Sequence, residues 1–216
     1  MSKIFLKYLY IKTLLNQKVF RDGSFPYKNY HKLTEYVEKY SIQNALECGT
    51  AVGLTAASIL LGNDNVKLDT IERHRRSIDR ARENIKDLEV FLNIFKQKKV
   101  NISERVNFVE GLFFDMLEMK TSLIPFYDMI FLDGYVSRYN EVVLLSNHLK
   151  AGGIFVVSNI RPEIFKSKMV ENFLLNSWDK HDIKMKRSHN LPHKIGEDNN
   201  FEFLERVGDT IFVRKL

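Results

Sequence analysis

The order of apolar runs and glycine turns predicts an α/β protein with a mostly parallel sheet and helices on both faces. Three observations carry that expectation. From Asn44 onward, short apolar runs of strand length alternate with longer segments of helical period. The stretch Asn44 to Leu61, NALECGTAVGLTAASILL, passes from a strand through a glycine turn into a helix start. Successive strands then close on Glu47, Glu72, Gly111, Asp133 and Asn159, at the carboxyl ends where parallel sheets bind their ligands.

The 216 residues suit one domain, with residues 1–40 as a helical preface and 41–216 as the core. Ile4, Phe5, Tyr8, Leu9, Ile11 and Leu15 recur at helical spacing and predict a first helix over 3–18. Lys7 and Lys12 interrupt its apolar face, which argues for an amphipathic helix and against a signal peptide. Asp22-Gly23 and Pro26 mark a turn, and Leu33, Tyr36, Val37 and Tyr40 predict a second helix over 28–40. Strands are expected at 44–48, 66–71, 105–109, 127–132 and 153–158, and helices at 53–61, 74–97, 111–119, 138–148 and 162–177. The long helix after Glu72 keeps an apolar face through Ile78, Ala81, Ile85, Leu88, Leu92 and Phe95. Its end, Leu88 to Asn101, reads either as a partner surface or as continued packing on the sheet. Ile183 to Arg187 alternates like a strand, and Phe201 to Leu216 reads as a final strand pair turning at Gly208-Asp209.

Composition excludes some classes. No apolar run reaches membrane-spanning length. The single cysteine, Cys48, forbids an intramolecular disulfide and fits a reducing, cytoplasmic setting. A net charge of +6 raises the case for a polyanionic partner, although the basic clusters at Arg73–Arg76, Lys96–Lys99 and Lys184–Arg187 are separated in sequence.

The turn itself reads Glu47-x-Gly49-x-x-x-Gly53, which is not the G-x-G-x-x-G of a dinucleotide site. Glycines there permit positive φ and close approach of a ligand, and the helix start presents free N–H groups. Glu72, at the end of the next strand, is placed to accept ribose hydroxyls. Together these residues point to a nucleoside-type ligand.

Glu47-x-Gly49-x-x-x-Gly53 with Glu72 resembles the S-adenosylmethionine site of class I methyltransferases. Val109-Glu110-Gly111, Tyr127 to Gly134 (YDMIFLDG) and Leu149 to Ile154 (LKAGGI) narrow the resemblance to the catechol and caffeoyl-CoA O-methyltransferases, whose bacterial relatives include tRNA 5-hydroxyuridine methyltransferases. The resemblance covers about Asn44 to Asn159. It implies a Rossmann-like, mostly parallel seven-stranded sheet with the last strand antiparallel. It also implies S-adenosylmethionine as cofactor, held by Glu47, Gly49, Thr50, Ala51, Gly53, Thr55, Glu72, Arg73, Gly111, Leu112, Phe113, Asp133 and Tyr135. Thr55 would bond the methionine carboxylate, Glu72 the ribose hydroxyls, and Gly111, Leu112 and Phe113 would flank the adenine with Tyr135 packing on it. The preface helices would help cover the pocket, with Phe25, Tyr27 and His31 as candidate lining residues.

On the acceptor side the resemblance implies Asp133 as the catalytic residue and a divalent cation such as Mg²⁺, held by Asp133 and an Asp-Asn pair. Asn159 matches the Asn of that pair, but Ser158 stands where its Asp is expected, and Val136 stands where the family's lysine base is expected. Two departures at two functional positions count against a metal-dependent, catechol-type mechanism. His181, His189 and His193 are alternative bases in the C-terminal part. Arg138 and Tyr139 match an Arg-Tyr pair of the catechol branch that would orient the Asp133 loop. The expected activity is methyl transfer to a hydroxyl of a small molecule or modified nucleoside, with a homodimer as a further implication. A tRNA-modifying enzyme and a non-catalytic cofactor-binding protein of the same fold are the alternatives. A nicotinamide dehydrogenase fits worse, because the glycine spacing is wrong.

Overall fold

The computed structural model describes residues 27–96, 101–112, 126–133, 145–158, 200–208 and 210–216. The expected helices at 3–18 and 162–177, the 113–119 part of the helix at 111–119, the 138–144 part of the helix at 138–148, and the strand at 183–187 lie outside the described residues. So do Phe25, Phe113, Tyr135, Val136, Arg138, Tyr139, Asn159, His181, His189 and His193. No described helix is long and apolar enough to cross a membrane.

Helix α1 (Tyr27–Lys39) leads into β1 (Asn44–Cys48), α2 (Leu54–Gly62), β2 (Lys67–Glu72) and α3 (Arg75–Lys96). A short 3₁₀ turn, Ser103–Arg105, precedes β3 (Val106–Glu110), then β4 (Tyr127–Leu132), β5 (Leu149–Val157), β6 (Phe201–Val207) and β7 (Thr210–Lys215). These strands form one seven-stranded sheet in the order β3-β2-β1-β4-β5-β7-β6. The first five are parallel to one another, and β7 runs antiparallel between β5 and β6. This is the Rossmann-like sheet that the sequence predicts.

Alternation along the strands divides the core in two. Ala45, Leu68, Met129, Phe131, Ile154, Val156 and Phe212 face α1, α2 and α3. Leu46, Cys48, Ile71, Ile130, Leu132, Phe155, Val157, Ile211 and Val213 face the other way, where Leu145 packs on them. Phe131, Phe155 and Phe212 have no exposed surface. Each stabilises the fold by about 1.5–3 kcal/mol through burial alone. Helix α1 is pinned to β7, with its first turn beside Thr210, next to the Val157–Ile211 pair at the carboxyl end of β5. Tyr36 stacks on Phe212 at 4.3 Å, and the buried Asn29 donates to Thr210 Oγ1 at 3.1 Å. His31 pairs with Glu35 one turn along the same helix, at 3.6 Å.

The end of α3 continues to pack. Leu88 and Leu92 are buried with Ile102, whereas Val90 and Ile94 are exposed. Strand β5 begins earlier than expected. Leu149 pairs with Tyr127, and the chain then bulges through Lys150 to Gly153, with Gly152 at φ 75°, before Ile154 meets Met129. At this amino edge of the sheet Asp128 gathers three donors. Gln43 N and Asn44 N lie 3.0 and 2.8 Å from Oδ2, and Lys150 Nζ lies 2.6 Å from Oδ1. Burial opposes ionisation there, but those donors hold Asp128 below its ordinary pKa.

Candidate cofactor and acceptor site

Between β1 and β4 the strand order reverses direction, and a crevice opens at such a switch point beyond the strand ends. The Gly49–Gly53 turn and Asp133 meet there. Gly49 has φ 102°, and a Cβ at that position would come within 2.2 Å of the Asp133 carbonyl oxygen. No side chain larger than hydrogen fits. Asp133 N donates to Cys48 O at 2.9 Å, while Gly49 N and Thr50 N donate to Ile71 O at 2.9 and 3.3 Å. The turn is therefore stitched to strands on both sides.

Ala51 adopts φ 46°, a left-handed conformation uncommon outside glycine. Gly53 follows at φ 81° as the N-cap of α2, with no side-chain cap on that helix. A Cβ on Gly53 would lie 2.9 Å from Ala81 Cβ, so α3 packs directly against the turn. Asn84, buried on the same face of α3, donates to Val52 O at 2.8 Å.

Two carboxylates frame the turn. Glu72 Oε2 accepts from Ala51 N and its Oε1 from His74 N, both at 3.0 Å, and its own carbonyl accepts from Gly111 N at 3.0 Å. Each carboxylate oxygen retains a further lone pair for a ligand. Glu47 is fully buried. Its Oε2 accepts from the Thr70 hydroxyl, which also bonds the Thr50 hydroxyl, and its Oε1 has no hydrogen-bond partner. Burial acts most strongly on this acid. The Thr70 hydrogen bond opposes it, the charges of Asp133 and Glu72 reinforce it, and the Ala56 amide opposes it again. Together they push Glu47 up to about 8, so it is mostly protonated at neutral pH.

Of the residues expected at the cofactor site, Glu47, Gly49, Thr50, Ala51, Gly53, Thr55, Glu72, Arg73, Gly111, Leu112 and Asp133 are described. Thr50 and Thr55 are buried at the turn and on the first turn of α2. Gly111 and Leu112 follow β3, with Leu112 exposed. The exposed Arg73 places Nε 2.8 Å from His74 Nε2. Ser158, at the end of β5, is buried. Its N donates to Leu132 O at 3.0 Å and its Oγ has no hydrogen-bond partner. Sequence reasoning missed Thr70 and Asn84. Thr70 carries no signal, because threonine is an ordinary strand residue. Asn84 does carry one, as a polar residue on the otherwise apolar inner face of α3.

No family model matches the chain. Solved structures do match over nearly its whole length. An O-methyltransferase from Bacillus cereus in complex with S-adenosylhomocysteine (SAH) aligns at TM-score 0.69 and 18% identity, covering 99% of this chain and 91% of its own. The O-methyltransferase TomG from Streptomyces achromogenes, involved in tomaymycin synthesis and solved with S-adenosylmethionine, aligns at 0.69 and 14%, covering 100% and 89%. An SAH-bound methyltransferase from Podospora anserina aligns at 0.70 and 18%, covering 98% and 88%. The chain therefore has the Rossmann-like fold that these methyltransferases share.

Proposed function

We propose that the chain is an S-adenosylmethionine-dependent methyltransferase that transfers a methyl group to a hydroxyl oxygen of a small molecule. The observation that carries this reading is the Glu72 carboxylate. It is fixed at the switch point by the Ala51 and His74 amides, across a turn that only glycine can complete at Gly49. Bidentate anchoring aims its remaining lone pairs, as recognition of paired ribose hydroxyls requires. The solved structures of the same fold, with cofactor or SAH bound, support the same ligand.

The cofactor supplies an electrophilic methyl on a sulfonium sulfur. The chain has to bind it, exclude water and bring the acceptor oxygen in line, and positioning of that kind accounts for a large share of such rate gains. Glu72 and Asp133 supply negative charge to a cationic donor, while Glu47, mostly neutral, shapes the turn through Thr70 and Thr50. Asp133 stands at the end of β4 to take the hydroxyl proton. With the cofactor bound, the acceptor O–C bond would form as the S–C bond breaks, releasing a neutral thioether while Asp133 holds the proton.

Calorimetric titration with S-adenosylmethionine and SAH tests this directly. Both should bind the wild type, and Glu72→Gln should weaken binding by about 10- to 100-fold, the worth of a charge-assisted hydrogen bond. A folded protein that binds neither ligand would overturn the proposal.

A further inference from the structure

The metal site that the catechol-type resemblance implies can be tested against the residues at the carboxyl ends of β4 and β5. Leu132 pairs with Val157, and Ser158 N bonds Leu132 O, so Asp133 and Ser158 sit side by side. Phe131 and Val156 share one core. Two residues further on, Asp133 and Ser158 extend from that same face. Hard divalent cations are held by several oxygens, with carboxylates providing the charge. Here the second carboxylate position is a neutral hydroxyl. The described pair, Asp133 and Ser158, does not fit the cation.

Ser158 does offer something else. It is 1% exposed, and its hydroxyl is buried without a partner beside the residue that would receive the acceptor proton. Native structures rarely leave such a group unpaired unless a ligand or water satisfies it. A chelating cation can hold two neighbouring acceptor oxygens on one centre, whereas without it Ser158 donating and Asp133 accepting can converge on one oxygen.

On the reading that this is a methyltransferase, we propose that its acceptor subsite works without a divalent cation, with Ser158 hydrogen-bonding the oxygen to be methylated. The substrate class this favours is an acceptor with a single hydroxyl rather than a vicinal pair. Ser158 acts as a positioning and specificity-determining residue, and Asp133 as the proton acceptor.

Mn²⁺ serves as the probe, titrated into the full chain by electron paramagnetic resonance with and without SAH, while SAH binding is measured in parallel. The wild type should bind no stoichiometric Mn²⁺. Ser158→Asp should gain one Mn²⁺, lost again when Asp133→Asn is added. One Mn²⁺ on the wild type that disappears in Asp133→Asn would overturn the proposal, and that comparison stands even when Ser158→Asp fails to fold. A folded Ser158→Asp that gains no metal would overturn the assignment to Ser158. Failure of SAH to bind would instead strike the methyltransferase reading, whatever Mn²⁺ does. With an acceptor in hand, chelator should leave the rate unchanged, and Ser158→Ala should raise KM while Ser158→Thr preserves it. A requirement for both hydroxyls of a vicinal pair would overturn the substrate class.

Discussion

Raising the pH across neutrality should destabilise the protein through one residue, Glu47. Its carboxyl moves from an ordinary 4.5 to about 8 in the folded chain. At about 1.4 kcal/mol per pKa unit, that displacement corresponds to about 5 kcal/mol between the two protonation states. The sign follows from proton counting. Between the two values the folded protein holds a proton that the unfolded chain has already released, so stability falls as pH rises. The contribution is complete below the unfolded value, declines across the interval, and is gone above about 8. A domain with about 5–15 kcal/mol in total would register that loss clearly. Glu47→Gln is the comparison, because the amide keeps the shape and the Thr70 contact but cannot ionise. Urea unfolding of both proteins from about pH 5 to about pH 9 measures the difference. The wild type should lose about 4 kcal/mol more than the variant between about pH 5 and about pH 8. Parallel pH profiles would refute the argument and show that the Glu47 carboxyl is not desolvated.

Three further outcomes are expected. Gly49→Ala places a methyl 2.2 Å from the Asp133 carbonyl in a backbone conformation that disfavours side chains. It should lower stability by about 1–3 kcal/mol or more and abolish SAH binding, as read by thermal melts and calorimetry. Ala81→Leu should push Gly53 away from α3, so SAH affinity should drop by about tenfold or more while the helix content seen by circular dichroism is kept. Asp128→Asn weakens three contacts at the amino edge and should cost about 1–3 kcal/mol in urea melts at neutral pH. Its pH dependence runs opposite to that of Glu47. A carboxyl held below its ordinary value stabilises above that value and loses its contribution as acid protonates it, so the variant should approach the wild type at low pH.

Much of this was legible because periodicity and turn chemistry are local. Strand β1 falls at Asn44–Cys48 as read, and the final hairpin turns at Gly208, where φ is 65°. The glycines of the ligand turn announced themselves because no other residue meets the Asp133 backbone so closely. What failed to show were consequences of pairing across the sheet. Strand β5 was expected at 153–158, yet Leu149 already pairs with Tyr127 ahead of the bulge. The anchoring of the preface helix was also silent, because the stacking of Tyr36 on Phe212 and the bond from Asn29 to Thr210 join residues far apart in the chain. Thr70, the partner of Glu47, carries no signal until β1 and β2 are laid side by side with Glu47 opposite it.

The position of β7 bears on how the molecule assembles. Among the described residues, strand β6 joins the sheet through β7 alone, so the outer margin beyond β5 rests on one hairpin. A tight hairpin closes within about 1–10 μs, but its docking on β5 waits for a distant segment of chain and belongs to the slow, long-range part of folding. Until then the apolar rim of β5, with Phe155 and Val157, stays open to strand addition from another molecule. Once docked, the new margin is β6, which carries Glu202, Glu205 and Arg206 and is kinked between Phe203 and Glu205. Charge and irregularity on an outer strand discourage edge-to-edge association. The hairpin thus replaces an aggregation-prone border with a protected one, and substitutions that slow its docking should appear first as lower soluble yield.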